Sequence, residues 1–311
     1  MASARSLNAG LVTSEVPNLR TNYLGRGRGR GSRGKNSNIS SAPSGLAKEG
    51  DKQQNDNISP AEVEAAAEGV NYSALKAEDK VLYLLKKMCS QHPNQRIIEL
   101  SAEDESAILE KVLESISTGQ ELCSLVSGLY DWTLQNPATT SCVASLSAQL
   151  SKFEKGGVSF RSALMNPLEA DFQSRDEWNK DQPIRWLSYV CLMCDLYAMM
   201  KTAADGYLNA LVEPVYSCLD QLLTDNKASD IQIGYATLKL KQLGKILQTK
   251  EPSKMELLME GLRSRFLGSG TSATGRLLLL ETIELYASGW QFDEETTTAY
   301  VELRQMSQEK A

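Results

Sequence analysis

Glu281 and Glu284 stand three residues apart in the run GRLLLLETIELYASGW, Gly275 to Trp290. Two carboxylates on one helix face can share acid/base work or hold a metal ion. No histidine or third carboxylate lies close by in sequence, and the same spacing is what a solvated helix face gives. The expectation is therefore a solvated face. The leucines account for the rest: Leu277, Leu280 and Ile283, flanked by Leu279, Leu285 and Tyr286, make a helix apolar around most of its girth. Gly289 would stop this helix, and Trp290 would fold back as a clasp.

Other reactive residue types meet the same fate. The chain has one histidine, His92, in a segment after a helix that ends near Cys89 or Ser90, where it reads as a solvent-exposed residue. A histidine-based triad needs supporting groups around it. CLMC, Cys191 to Cys194, has redox or zinc spacing but lies inside an apolar helical run with no second pair, so it reads as core packing. Gly29, Gly31 and Gly34 match a dinucleotide fingerprint in form only, because no strand precedes them and no helix follows. Gly244-Lys245 falls in mid-helix and is no phosphate loop. No catalytic residue, metal ligand or cofactor is assigned.

One tract retains a chemical reading. In GRGRGRGSRGK, residues Arg26, Arg28, Arg30, Arg33 and Lys35 sit on a glycine-rich chain, a flexible polycation whose guanidinium planes can pair with phosphates and stack on unpaired bases. RNA contact is the functional reading; a linker or nuclear-import patch is the alternative.

The elements that would position these residues are helices. From about Ala74 the apolar residues recur with a 3.6 period, and nothing alternates convincingly with period two. In SAEDESAILEKVLESIS, Ser101 can cap, the first turn is acidic, and Ile108, Val112 and Ile116 recur every fourth residue. Phe160, Leu164, Leu168 and Phe172 form a second stripe, whose helix Pro167 should kink. Trp186, Val190, Met193 and Tyr197 form a third, and Ala236, Leu240, Leu243 and Leu247 a fourth. Nine or ten such helices, paired roughly every 40 residues, match the period of HEAT-type repeats. The fold class is thus all-α, an α-solenoid of about five HEAT-like hairpins, although spacing alone also fits a helical bundle.

The 311 residues are 41% apolar and 23% charged, with a net charge of −6. Residues 1–50 hold eight Lys or Arg against two acids, about +6, which leaves −12 for the remainder. Residues 1–70 read as a disordered basic Arg/Gly-rich tail, and residues 71–311 as the helical-repeat domain. An acidic body disfavours a phosphate-binding groove in the folded part. No stretch reaches the roughly 18 apolar residues of a membrane span, and no apolar leader is evident, so no membrane association is expected and the cytoplasm, with the nucleus as a further site, is. Six cysteines scattered through apolar segments read as reduced thiols.

Four segments in order, FRSALMNPLEADFQSRDEW, IRWLSYVCLMCDLYAMMKT, LNALVEPVYSCLDQLL and RLLLLETIELYASGW, carry a family resemblance. From roughly Gln120 to Trp290 the chain resembles the middle domain of translation initiation factor 4 gamma. It is most similar to the small adaptor branch, which includes the stem-loop-binding-protein-interacting and cap-binding-complex-dependent initiation proteins. The resemblance implies five HEAT-like hairpins without enzymatic activity. It implies partners as well: translation initiation factors, a DEAD-box helicase, an mRNA-binding protein associated with a stem-loop or the cap, and a second copy in a homodimer. Arg175, Trp178, Lys180 and Arg185, around SRDEWNKDQPIRW, are the expected exposed partner contacts.

Overall fold

The computed structural model describes residues 70–92, 95–202 and 206–308, with the side chains of 178–180 and 308 outside that description. Among the described residues the chain forms twelve α-helices. The first six are α1 (Ala77–Ser90), α2 (Ala102–Ser115), α3 (Gly119–Thr133), α4 (Thr140–Gln149), α5 (Phe160–Gln173) and α6 (Arg175–Asp181). The second six are α7 (Pro183–Met199), α8 (Val212–Thr224), α9 (Asp230–Lys250), α10 (Pro252–Leu267), α11 (Ala273–Ala287) and α12 (Glu294–Gln308). A two-residue ribbon, β1 (Glu154–Lys155) with β2 (Val158–Ser159), turns through Gly156-Gly157.

Local chemistry sets the helix starts. Ser101 accepts the Asp104 amide at 3.1 Å to open α2. Thr118 with Glu121 and Ser229 with Gln232 make reciprocal capping boxes for α3 and α9. Pro183 and Pro252 occupy the first turns of α7 and α10, where a missing N–H costs nothing. Pro167 lies inside α5 without ending it.

The predicted stripes are the core. Ile108, Val112 and Ile116 are buried, as are Phe160, Leu164 and Leu168 and the whole of the α7 and α9 stripes. Phe172 is only half-buried. Helix α7 exceeds its expected stripe: all twelve residues from Trp186 to Tyr197 are buried. The reason is placement, because α4, α8 and α9 all pack on it. One row of helices stacks as α1, α3, α5; the other runs α4, α7, α9, α11. Helix α8 pairs with α9 and α10 with α11, which is the hairpin stacking of an all-α solenoid.

Inside the second row, Lys239 of α9 reaches Asp195 of α7, with Nζ 2.7 Å from both carboxylate oxygens and both side chains buried. Burial pushes the Asp195 carboxyl up, opposed by Lys239. Although burial opposes it, Asp195 also holds the Lys239 ammonium above its ordinary range.

The end of α11 closes as the sequence implies. Gly289 adopts φ 74°, and the Trp290 amide donates to Leu285 O at 2.7 Å, ending the helix in a left-handed cap. Trp290 then lies over Gly244 of α9, where a Cβ would fall 2.1 Å from its ring. The mid-helix glycine is therefore a seat for an indole, whose Nε1 donates to Gln248 Oε1 at 2.6 Å.

Candidate functional site

Of the two glutamates that invite a catalytic reading, Glu284 is exposed, as on the solvated face expected, and Glu281 is not. Glu281 is buried, with its Oε1 2.6 Å from Lys241 Nζ and also bonded by Arg304 of α12. Tyr300 of α12 donates to Glu284. For Glu281 the expectation fails because α12 returns across this face of α11, bringing Arg304, 23 residues further along the chain, onto it; Tyr300, 16 residues beyond Glu284, comes with it. Burial alone would raise the Glu281 carboxyl, yet Arg304 and Lys241 hold it below the ordinary glutamate range. A carboxylate so neutralised fastens three helices together.

The other candidates resolve as follows. Cys191 and Cys194 are fully buried in α7, as core packing requires. His92 is half-buried in a recess of about 480 Å³ that Cys89, Trp132 and Tyr235 also line, where the sequence implied open solvent. The segment carrying it lies against the start of α4, tied by the Ile98 amide to Ala138 O at 2.8 Å. Among the described residues no group of three His, Cys, Asp or Glu side chains is placed to hold a metal ion.

Arg26, Arg28, Arg30, Arg33 and Lys35 lie outside the described residues, as do the side chains of Trp178 and Lys180. Arg175 and Arg185 are described and are half-buried, each engaged by neighbours within the chain. Arg175 donates to Phe172 O at 2.8 Å, and its guanidinium carbon stacks 4.2 Å from the centre of the Phe172 ring. Arg185 lies 3.6 Å from Asp171, which also accepts the Tyr130 hydroxyl at 2.6 Å. The two arginines fasten the turn between α5 and α7. Their sequence neighbourhood, rich in charge, resembled a surface because their partners Phe172 and Asp171 precede them on another helix.

That turn borders an apolar opening. Helices α5 and α8 are not among the closely packed helix pairs. Between them lies a groove of about 470 Å³, walled by Met165, Phe172, Leu208, Leu211 and Pro214 and floored by Met193 of α7. Arg161 and Glu169, two turns apart on α5, add one charge of each sign to its lining. Phe172, expected to be buried, stays half-buried because it stands in this wall with Arg175 stacked on it. Nothing in the sequence marked the groove: Phe172 read as core, and Leu208 and Pro214 come from the other side of α7 in sequence and meet it only in the fold.

A volume of this size takes one or two large apolar side chains of a peptide segment. It brings no acid, base and nucleophile together.

No protein-family model matches the chain. Curated proteins do. An MIF4G domain-containing protein of Xenopus tropicalis is 30% identical over 215 residues, which cover 68% of this chain and 95% of that protein. The MIF4G domain-containing protein of Homo sapiens is 30% identical over 200 residues, covering 63% and 85%. The CBP80/20-dependent translation initiation factor of Xenopus tropicalis is 27% identical over 239 residues, 76% of this chain and 40% of that protein, so the chain spans less than half of that relative's length.

Proposed function

Because the chain belongs to the family of MIF4G domain-containing proteins, we propose that it is a non-enzymatic adaptor in mRNA translation initiation. It joins an mRNA-bound protein, associated with a histone-type stem-loop or with the cap, to a DEAD-box helicase and initiation factors. The names of its relatives support the general process. The groove between α5 and α8 is the observation that carries the adaptor reading: it offers a preformed apolar seat, on a helical array, without a reactive constellation. Its occupant is a short peptide segment of a partner protein bearing one or two large apolar side chains. The cytoplasm is where this activity belongs, with nuclear presence where the mRNA-bound partner is loaded. The Arg-Gly tract adds salt-sensitive contact with RNA.

The test uses the full chain immobilised with purified DEAD-box helicase and with purified stem-loop- or cap-associated protein. Retention of both is expected. Met165→Asp, which puts a charge into the groove wall, should weaken one of them at least tenfold, about 1.4 kcal/mol, with an unchanged circular dichroism spectrum. Retention of neither partner removes the adaptor reading; unchanged retention of both by the variant removes the groove from it.

A further inference from the structure

The six cysteines differ in what surrounds them. Cys191, Cys194 and Cys218 are sealed in the core, and burial pushes the thiols of Cys191 and Cys218 up to about 12. Cys123 is exposed on α3. Cys89 in the last turn of α1 and Cys142 in the first turn of α4 are 53 residues apart in sequence, yet their sulfurs are 3.6 Å apart. That is van der Waals contact, and a shift of about 1.5 Å reaches bonding distance.

The pair is asymmetric. Cys89, 4% exposed, lines the recess shared with Lys86, His92 and Trp132, the side from which a solute as small as peroxide would approach it. Cys142 is 1% exposed and lies behind it. The hydrogen bond between the two sulfurs holds the Cys89 thiol below its ordinary range, against the opposing effect of burial. The same contact, with burial, pushes Cys142 far up. A thiol that lines a recess and ionises first, with a second thiol in contact behind it, is the arrangement of an attacking and a resolving cysteine.

We propose that Cys89 and Cys142 form an oxidisable dithiol, a modification site for hydrogen peroxide that closes to a reversible disulfide between α1 and α4. The Cys89 thiolate attacks one peroxide oxygen; the S–O bond forms, the O–O bond breaks, and the departing hydroxide leaves as water with the proton that Cys89 gave up. Sulfur loses two electrons and peroxide gains them. The Cys142 sulfur then attacks the Cys89 sulfur, forming S–S and breaking S–O, and the departing hydroxide takes the Cys142 proton as a second water. One peroxide consumes two thiols, and an added dithiol reverses the change. The bond would staple the first hairpin of the array to the second, at the point where the Ile98 segment also crosses to Ala138.

The experiment treats the full chain with hydrogen peroxide, blocks remaining thiols with iodoacetamide after denaturation, and maps tryptic peptides by mass spectrometry. A cross-link between the Cys89 and Cys142 peptides is expected, lost on treatment with dithiothreitol. The oxidised protein should melt about 5–10 °C above the reduced one, as a loop of this length implies. Cys142→Ser should arrest the reaction as a Cys89 sulfenic acid that dimedone labels. Should that variant fail to fold, the wild-type map decides alone. Cys89 and Cys142 both still alkylated after Cys123 is oxidised, or Cys89 linked to another cysteine, would overturn the proposal.

Discussion

Replacing glycine by alanine in the interior of a helix normally stabilises a protein by about 0.5–1 kcal/mol. At Gly244 the sign should reverse. A Cβ there falls 2.1 Å from two Trp290 ring carbons and 2.4 Å from a third, and the indole has no free swing because its Nε1 is bonded to Gln248 and its edge packs on Tyr286. Overpacking at such a contact costs about 1–3 kcal/mol, and a lost hydrogen bond about 0.5–1.5 kcal/mol. After subtracting the gain in helix propensity, Gly244→Ala should lose about 2 kcal/mol, or about 4–8 °C of melting temperature for a domain of this size. Thermal unfolding followed at 222 nm measures it. The decisive comparison is the double-mutant cycle: Trp290→Ala should itself cost about 3–5 kcal/mol, and in that background Gly244→Ala should become stabilising. A higher melting temperature for Gly244→Ala alone, or the same shift in both backgrounds, would refute the account of the clasp.

Lys239→Met strands the Asp195 carboxylate in the core and should cost about 3–5 kcal/mol, whereas pairing it with Asp195→Leu should recover most of that loss; urea titration of the four proteins reads the difference. Acid should loosen α12 before the rest of the array. The folded Glu281 carboxyl is held below its ordinary value of 4.5, so its contribution is fully present above that pH and is lost as the pH falls through the lower folded value. Amide exchange at residues 296–307 checks this, and in Glu281→Gln the pH dependence of those amides should disappear. Thr118→Ala removes one half of the α3 capping box and should cost about 1 kcal/mol, read as a lower urea midpoint with an unchanged slope.

The stripes of apolar residues every fourth position were legible because each belongs to one helix and needs no knowledge of its neighbours: Ile108 to Ile116 and Ala236 to Leu247 are buried as the period implies. So was the Gly289-Trp290 terminus, a local device. What escaped was whatever depends on the register between distant helices. Glu281 read as solvated because Lys241 and Arg304 lie 40 and 23 residues away, and only stacking brings them to it. Lys239 and Asp195, 44 residues apart, gave no sign of a buried pair. Arg175 and Arg185 are charged residues in a charged stretch, and composition cannot tell a guanidinium that stacks on Phe172 from one that faces water. The groove is a gap between α5 and α8, and sequence records the helices that bound a space rather than the space itself.

Helix α7 has a mechanical meaning of its own. It is enclosed from Trp186 to Tyr197, resting on α4 behind and on α8 and α9 ahead, and its Tyr189 hydroxyl donates to Leu168 O of α5 at 2.8 Å. In a fold whose units touch chiefly their neighbours, stress travels from link to link in series. Slackening this one link would leave the earlier and later hairpins to breathe independently, so a load applied at one terminus would stop midway along the chain.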